Sequence, residues 1–276
     1  METAVARWQA IIRARATQMD EAYARLGRTS TDFWDRRAHT FHRVTRENTI
    51  NDPFYLFLSR HVMPEHSILD VGAGTGRFTL ALAPLAAHVT ALEPNVSMLN
   101  YLREEIATRN LANITLLQSA WENASDDLHA DLVICSHVLY PILEIVPFLE
   151  KLRAASTQAC YLYLRATAID TITAPFWQHF HGTERCQPPG YIHALDVLYE
   201  RGIYANVEVV AAPVILGYPS LQHAEDELVE QLILEDTTQT RAELRKLLAS
   251  WLVEGHDGSW HSPEQSSFSA ILWWRR

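Results

Sequence analysis

The stretch ILDVGAGTGRF, residues 68–78, runs a short apolar segment directly into glycines at Gly72, Gly74 and Gly76. A buried strand feeding a glycine-rich turn lets backbone approach a nucleotide closely. This segment constrains the fold more than any other. Three cofactor types compete for such a turn. A triphosphate loop needs G-x-x-x-x-G-K-[ST], and GAGTGRF has no such lysine. A dinucleotide turn is spaced G-x-G-x-x-G; its third glycine would fall on Arg77, and this loop is one residue tighter. Asp70, two residues before Gly72, discriminates further. A carboxylate there repels a pyrophosphate and attracts a cation. An ammonium or a sulfonium suits it, and S-adenosylmethionine carries both. Glu93, 21 residues after Gly72, ends the next apolar run. An acid there accepts from ribose hydroxyls, as it also does in NAD sites.

The surrounding pattern is that of an α/β chain. Residues 3–26 read as a helix ended by Gly27, and Asp52-Pro53 opens another through about Arg60. Strands are expected at SILDV, HVTALEP, ITLLQSA, ADLVICS and ACYLYLRA. Helices are expected between them, over residues 76–86, 96–110 and 141–155. The second of these presents Val96, Leu99, Leu102 and Ile106 on one face. Such alternation implies a doubly wound parallel sheet. Further on, YIHALDVLYERGI reads as a helix and NVEVVAAPV as a strand. A long helical region is expected from about Leu221 to Val253, then the turn-rich EGHDGSW, then a last strand, SFSAILWWRR. With no Pro/Gly/Ser-rich linker, the chain is expected to be one domain, 1–276. Its parts would be an N-terminal helical extension or lid (1–66), a cofactor core (67–166) and an acceptor-side half (167–276) with a helical insertion at about 218–258.

Composition narrows the partners. The 276 residues are 48% hydrophobic, enough for a large core, and the formal net charge of −10 disfavours a nucleic-acid partner. Three widely spaced cysteines, Cys135, Cys160 and Cys186, form no CxxC pair and suit a reducing compartment. No signal or membrane span is expected, and the cytoplasm is the expected location.

ILDVGAGTGRF, VTALEPNVSML and ADLVICSHVLY, in this order and spacing, resemble the class I S-adenosylmethionine-dependent methyltransferases over about residues 68–166, and more loosely to the last strand. FWDRRAHTF, residues 33–41, is similar to a segment ahead of the core in small-molecule members. The resemblance implies a Rossmann-like sheet of seven strands, mostly parallel, in the order 3-2-1-4-5-7-6 with the last antiparallel. It implies that Gly72, Ala73, Gly74 and Gly76 underlie the methionine part of the cofactor, with Asp70 near its amino group. Glu93 would hold the ribose, and Pro94, Asn95 and Met98 would flank the adenine. The family often has an aspartate after strand 3; here Ser119 stands at that place, with Ala120 and Trp121 as further contacts. Ser136, His137 and Tyr140 would lie where cofactor and acceptor meet.

Methyl transfer from a sulfonium is an in-line displacement, and positioning supplies much of its rate. A base is needed only for an acceptor that holds a proton. His137 is the candidate base, or else a cofactor contact; Tyr140 orients an acceptor or lines the pocket. Phe176, Trp177, His179 and Phe180 are either an acceptor wall or core. Phe33, Trp34, Arg37 and Phe41 form either a lid on the acceptor pocket or an ordinary packed helix. His179, His181 and Cys186 lack a convincing fourth ligand, so no metal is expected. The expected activity is methyl transfer from S-adenosylmethionine to a small molecule, leaving S-adenosylhomocysteine. A protein acceptor, a non-catalytic cofactor-binding protein and an NAD-dependent oxidoreductase are the alternatives. Acceptor atom and oligomeric state are not legible.

Overall fold

The computed structural model describes residues 2–29, 49–168 and 170–276. Its centre is a seven-stranded sheet in the order β3-β2-β1-β4-β5-β10-β6. The strands are β1 Ser67–Val71, β2 His88–Leu92, β3 Ile114–Leu117, β4 Ala130–Ser136, β5 Ser156–Arg165, β6 Asn206–Ala211 and β10 Phe268–Arg275. The first five pair in parallel, and β10 runs antiparallel between β5 and β6. The expected topology is therefore present. Its last strand is tenth in the chain because three short strands intervene: β7 Gly217–Tyr218, β8 Val253–Glu254 and β9 Trp260–His261, forming a separate small sheet.

Strand alternation divides the core. Leu69, Val71, Val133, Cys135, Leu162 and Leu272 face α1 (Ala4–Arg25), α5 (Ile145–Ala155) and α7 (Tyr191–Glu200). Ile68, Val89, Ile134, Tyr163 and Ile271 face α2 (Pro53–Leu58) and α3 (Arg77–Leu82). Trp273 and Trp274 fall on opposite faces, as a strand requires. A third cluster joins the end of α1 and α6 (Asp170–His181) to α8 (Leu221–Gln231) and α9 (Thr238–Trp251).

Several elements depart from expectation for local reasons. The helix after the glycine turn stops at Leu82, and residues 83–85, around Pro84, continue as a 3-10 turn. On α4 (Val96–Thr108), Val96 is exposed and the buried set is Met98, Leu99, Leu102 and Glu105; Val96 is the first helical residue, ahead of the turn that meets the sheet. Helix α5 begins at Ile145. The long helical region breaks into α8 and α9, with Ile233 in a left-handed conformation (φ 55°) between them. On α8, Glu225 is buried and pairs with Arg245.

Helix α1 starts at the cap Thr3, whose side chain accepts from Ala6 N (3.1 Å). Its Trp8 is 1% exposed, and Trp8 Nε1 donates to the Ile142 carbonyl at 2.7 Å. That contact fixes α1 to the loop that leads into α5 through both packing and a hydrogen bond. Trp8→Ala should therefore destabilise the protein by about 3–5 kcal/mol in urea unfolding; a loss below about 1 kcal/mol would show that α1 is not part of the core.

Candidate active site

The site is built at the carboxyl ends of β1, β2, β4 and β5, where ligands of open α/β sheets bind. Beyond Val71 the chain turns sharply, and Gly72 N and Ala73 N donate to the Leu92 carbonyl (2.8 and 3.0 Å). Two glycines have no substitute. At Gly72 (φ 74°) a Cβ would sit 2.3 Å from Val138 Cγ2; at Gly76 (φ 87°), 2.2 Å from Leu102 Cδ1. Glu93, 7% exposed, holds the turn from the side. Its Oε2 accepts from Gly74 N and its Oε1 from Asn95 N, both at 2.9 Å. Burial raises the Glu93 pKa and the two N–H groups oppose that shift. Asn95 in turn caps α4, accepting from Met98 N at 2.9 Å. Pro94 between them is exposed and Met98 is buried.

Asp70 is 2% exposed beneath the turn, and its Oδ2 accepts from Thr79 Oγ1 at 2.6 Å. Burial pushes its pKa up to about 6, with the Thr79 bond opposing and Glu93 adding repulsion. Two carboxylates thus converge on a turn of backbone N–H groups. Added positive charge would relieve both; a pyrophosphate would not.

The loop after β3 is anchored on the core side. Trp121 is buried, donates from Nε1 to the Phe148 carbonyl (3.2 Å) and meets the Phe148 ring edge-on. Its indole packs under α5 rather than standing free as a cofactor contact. Ser119 Oγ donates to the Ala120 carbonyl (2.9 Å), which leaves its lone pairs as acceptors.

The β4 and β5 ends form the opposite wall. Ser136 closes β4, and His137 follows in a left-handed conformation (φ 58°), its N–H donating to the Tyr163 carbonyl at 2.9 Å. His137 Nδ1 and Tyr140 Oη share a hydrogen bond of 2.9 Å, and Arg165 N donates to the same Oη at 2.9 Å. Burial and the nearby Arg165 and Arg77 push the His137 pKa well below its usual value, so its ring is neutral at pH 7. Burial raises the Tyr140 pKa to about 12. Sequence reasoning missed four residues here. Thr79 supports Asp70; Tyr163 underlies His137 with ring centroids 4.8 Å apart; Arg165 ends β5; and Arg77 pairs with Asp52 at 2.7 Å. Only Arg77 carried a signal, as the charged residue directly after the last glycine.

Other candidates lie elsewhere. Phe176 and Trp177 are buried with Tyr23, Leu228 and Leu244, with Phe180 packed against them, so they carry the insertion. His179 pairs with Glu243 (2.7 Å), and His181 stacks on Trp177 and bonds the Leu232 carbonyl (2.7 Å). Among the described residues no cluster of three or more His, Cys, Asp or Glu could hold a metal, and no helix is long and apolar enough to cross a membrane. Phe33, Trp34, Arg37 and Phe41 lie outside the described residues.

The strand order and the tight glycine turn are those that the resemblance to class I S-adenosylmethionine-dependent methyltransferases implies. The family model described as a methyltransferase domain matches residues 68–158. An uncharacterized protein of Haemophilus influenzae is 27% identical over 190 residues, 64% of this chain and 65% of that one. The 23S rRNA (uracil(1939)-C(5))-methyltransferase RlmD of Klebsiella pneumoniae is 37% identical over 67 residues, 24% of this chain and 15% of its own length. The chain thus matches less than the full length of either relative. Among solved structures, a putative methyltransferase of Bacillus halodurans superposes with a TM-score of 0.53 at 15% identity, covering 80% of this chain and 96% of that one. Magnesium protoporphyrin IX methyltransferase of Synechocystis, solved with bound S-adenosylhomocysteine, gives 0.52 at 14%, covering 85% and 84%. At these identities the likeness is one of fold.

Two outcomes follow for the ligand-free protein. Between pH 3.8 and about 6 folded Asp70 holds a proton that the unfolded chain releases, so this group's contribution to stability falls as pH rises through that window. Asp70→Asn keeps a partner for Thr79 and removes the buried charge. It should raise the unfolding free energy at pH 7.5 by about 1–3 kcal/mol, and leave it unchanged or lower at pH 4; an equal change at both pH values would refute the assignment. Gly72→Ala should cost about 2–4 kcal/mol in urea unfolding, with partial recovery in the Gly72→Ala/Val138→Ala double variant.

Proposed function

We propose that this protein transfers the methyl group of S-adenosylmethionine to a small-molecule acceptor, working as one domain. The observation that carries the reading is Asp70: a buried carboxylate under a turn too tight for a dinucleotide, its raised pKa relieved by a cation. In this reading Asp70 faces the cofactor's ammonium, with Gly72, Ala73, Gly74 and Gly76 beneath the methionine. Glu93 takes the ribose hydroxyls on lone pairs left by its two backbone bonds. Pro94, Asn95 and Met98 flank the adenine, and Ser119 Oγ, with Ala120, accepts from its amino group in place of the family's aspartate. Three free cysteines, two of them buried, suit a cytoplasmic location.

His137 serves orientation in this account. Its ring is neutral at pH 7, yet a pKa held far below the usual value makes it a weak base. Tyr140, at about 12, keeps its proton and fixes the imidazole. The acceptor therefore arrives nucleophilic, and the site contributes alignment and exclusion of water.

Incubation with methyl-labelled S-adenosylmethionine and separated small-molecule, protein and RNA fractions tests the reading. Label should enter the small-molecule fraction; label confined to protein or RNA would overturn it. With an acceptor in hand, His137→Asn should lower kcat by less than about 10-fold, and kcat should show no histidine titration between pH 6 and 8. A fall of about 100-fold or more, the range of a true general base, would restore that role to His137.

A further inference from the structure

Arg165, at the end of β5, and Arg77, directly after the glycine turn, are left incompletely partnered. Arg165 ends β5, where its own N–H is tied to Tyr140 beside His137. Its Nη1 is buried with no hydrogen-bond partner among the described residues, and so is Nε of Arg77. Arg77 Nη2 is taken by Asp52 Oδ2 at 2.7 Å, and Asp52 is itself committed to Phe54 N at 2.8 Å as the cap of α2. The two guanidiniums repel each other, and Asp52 is the acid that acts on both. Among the described residues, one carboxylate against two guanidiniums leaves one positive charge, in a chain whose formal net charge is −10. A buried guanidinium N–H without an acceptor is costly, and a planar fork is best satisfied by a carboxylate or phosphate.

We propose that Arg165, assisted by Arg77, binds an anionic group of the acceptor, a carboxylate or phosphate, and so selects acidic acceptors. The proposal rests on the methyl-transfer reading above. The cofactor's own carboxylate is the other source of the same chemistry. It is attached one carbon from the ammonium and stays with the β1 turn. Arg165 springs from β5, two strands from β1 across β4, while its guanidinium reaches toward Arg77 beside the turn, so the titration below includes an arm that separates the two sources. Placed there, the anion fixes one end of the acceptor beside His137 and Tyr140 and leaves the other end free to meet the methyl group.

The test is a titration of the full chain saturated with S-adenosylhomocysteine, followed by NMR, using benzoate and inorganic phosphate as probes and benzamide as the uncharged control. At least one anion should bind about 10-fold or more tighter than benzamide. Arg165→Gln should weaken that anion about 10-fold or more, with Arg165→Lys between, while the affinity for S-adenosylhomocysteine changes less than about 2-fold. Unchanged anion binding in Arg165→Gln, or none in the parent protein, would overturn the proposal. So would an Arg165→Gln loss of S-adenosylhomocysteine affinity that is absent with its decarboxylated analogue, because the guanidinium would then hold the cofactor. A parent protein that fails to bind S-adenosylhomocysteine at all would instead sink the methyl-transfer reading. If Arg165→Gln fails to fold, Arg165→Lys carries the same comparison.

Discussion

The two hydrogen bonds of the Glu93 carboxylate, to Gly74 N and Asn95 N, join the loop after β1 to the loop after β2. They add to the bonds that Gly72 N and Ala73 N make to the Leu92 carbonyl. Gly72 and Gly76 have left-handed backbones, and the turn's shape is fixed only where neighbours enforce it: Val138 against Gly72, Leu102 against Gly76, Glu93 against Gly74. Asn95 carries the constraint onward by capping α4, the helix that supplies Leu102. Loop, cap and helix therefore depend on one buried acid, which costs stability unless its oxygens are occupied.

Two aspartates at opposite ends of the sheet show how position decides chemistry. Asp131, at the amino end, accepts from Ser67 N and Oγ (2.8 and 2.7 Å) and from Thr157 and Gln158, and these bonds lower its pKa to about 2. It ties β1, β4 and β5 together and is fully satisfied. Asp70, near the carboxyl end of the neighbouring strand β1, is buried with the Thr79 hydroxyl as its side-chain partner, and its pKa rises to about 6. The first is a clamp. The second stores unfavourable electrostatics that a cation releases, which is how perturbed acids mark ligand sites. Arg165 at the end of β5 and Arg77 directly after the turn bring the opposite sign to the same end of the sheet, each with a buried guanidinium nitrogen lacking a partner among the described residues.

The sheet was legible because its strands are apolar runs separated by helices of ordinary length, and period-two burial makes Trp273 and Trp274 unambiguous. The acids and glycines were legible because their spacing is local. What failed was non-local or conformational. The break at Ile233 is not written in its residue type, since a β-branched side chain disfavours positive φ. Strands of two residues, such as β7 and β8, carry no period. For Phe176 and Trp177 the sequence leaves acceptor wall and core open, because the residues that bury them, Tyr23 and Leu228, come from distant segments. Arg165 and Tyr163 reach the site only through the pairing of β5 with β4 and β10.

The central claim is that the β1 turn is made for a cationic, amino-acid-bearing nucleoside. Calorimetric titration with S-adenosylhomocysteine, with NADH as the control and repeated on Asp70→Ala and Glu93→Ala, tests it most directly. The account predicts binding of S-adenosylhomocysteine, at least about 10-fold weaker in either variant, and no binding of NADH. Binding of NADH by a protein that ignores S-adenosylhomocysteine would contradict it.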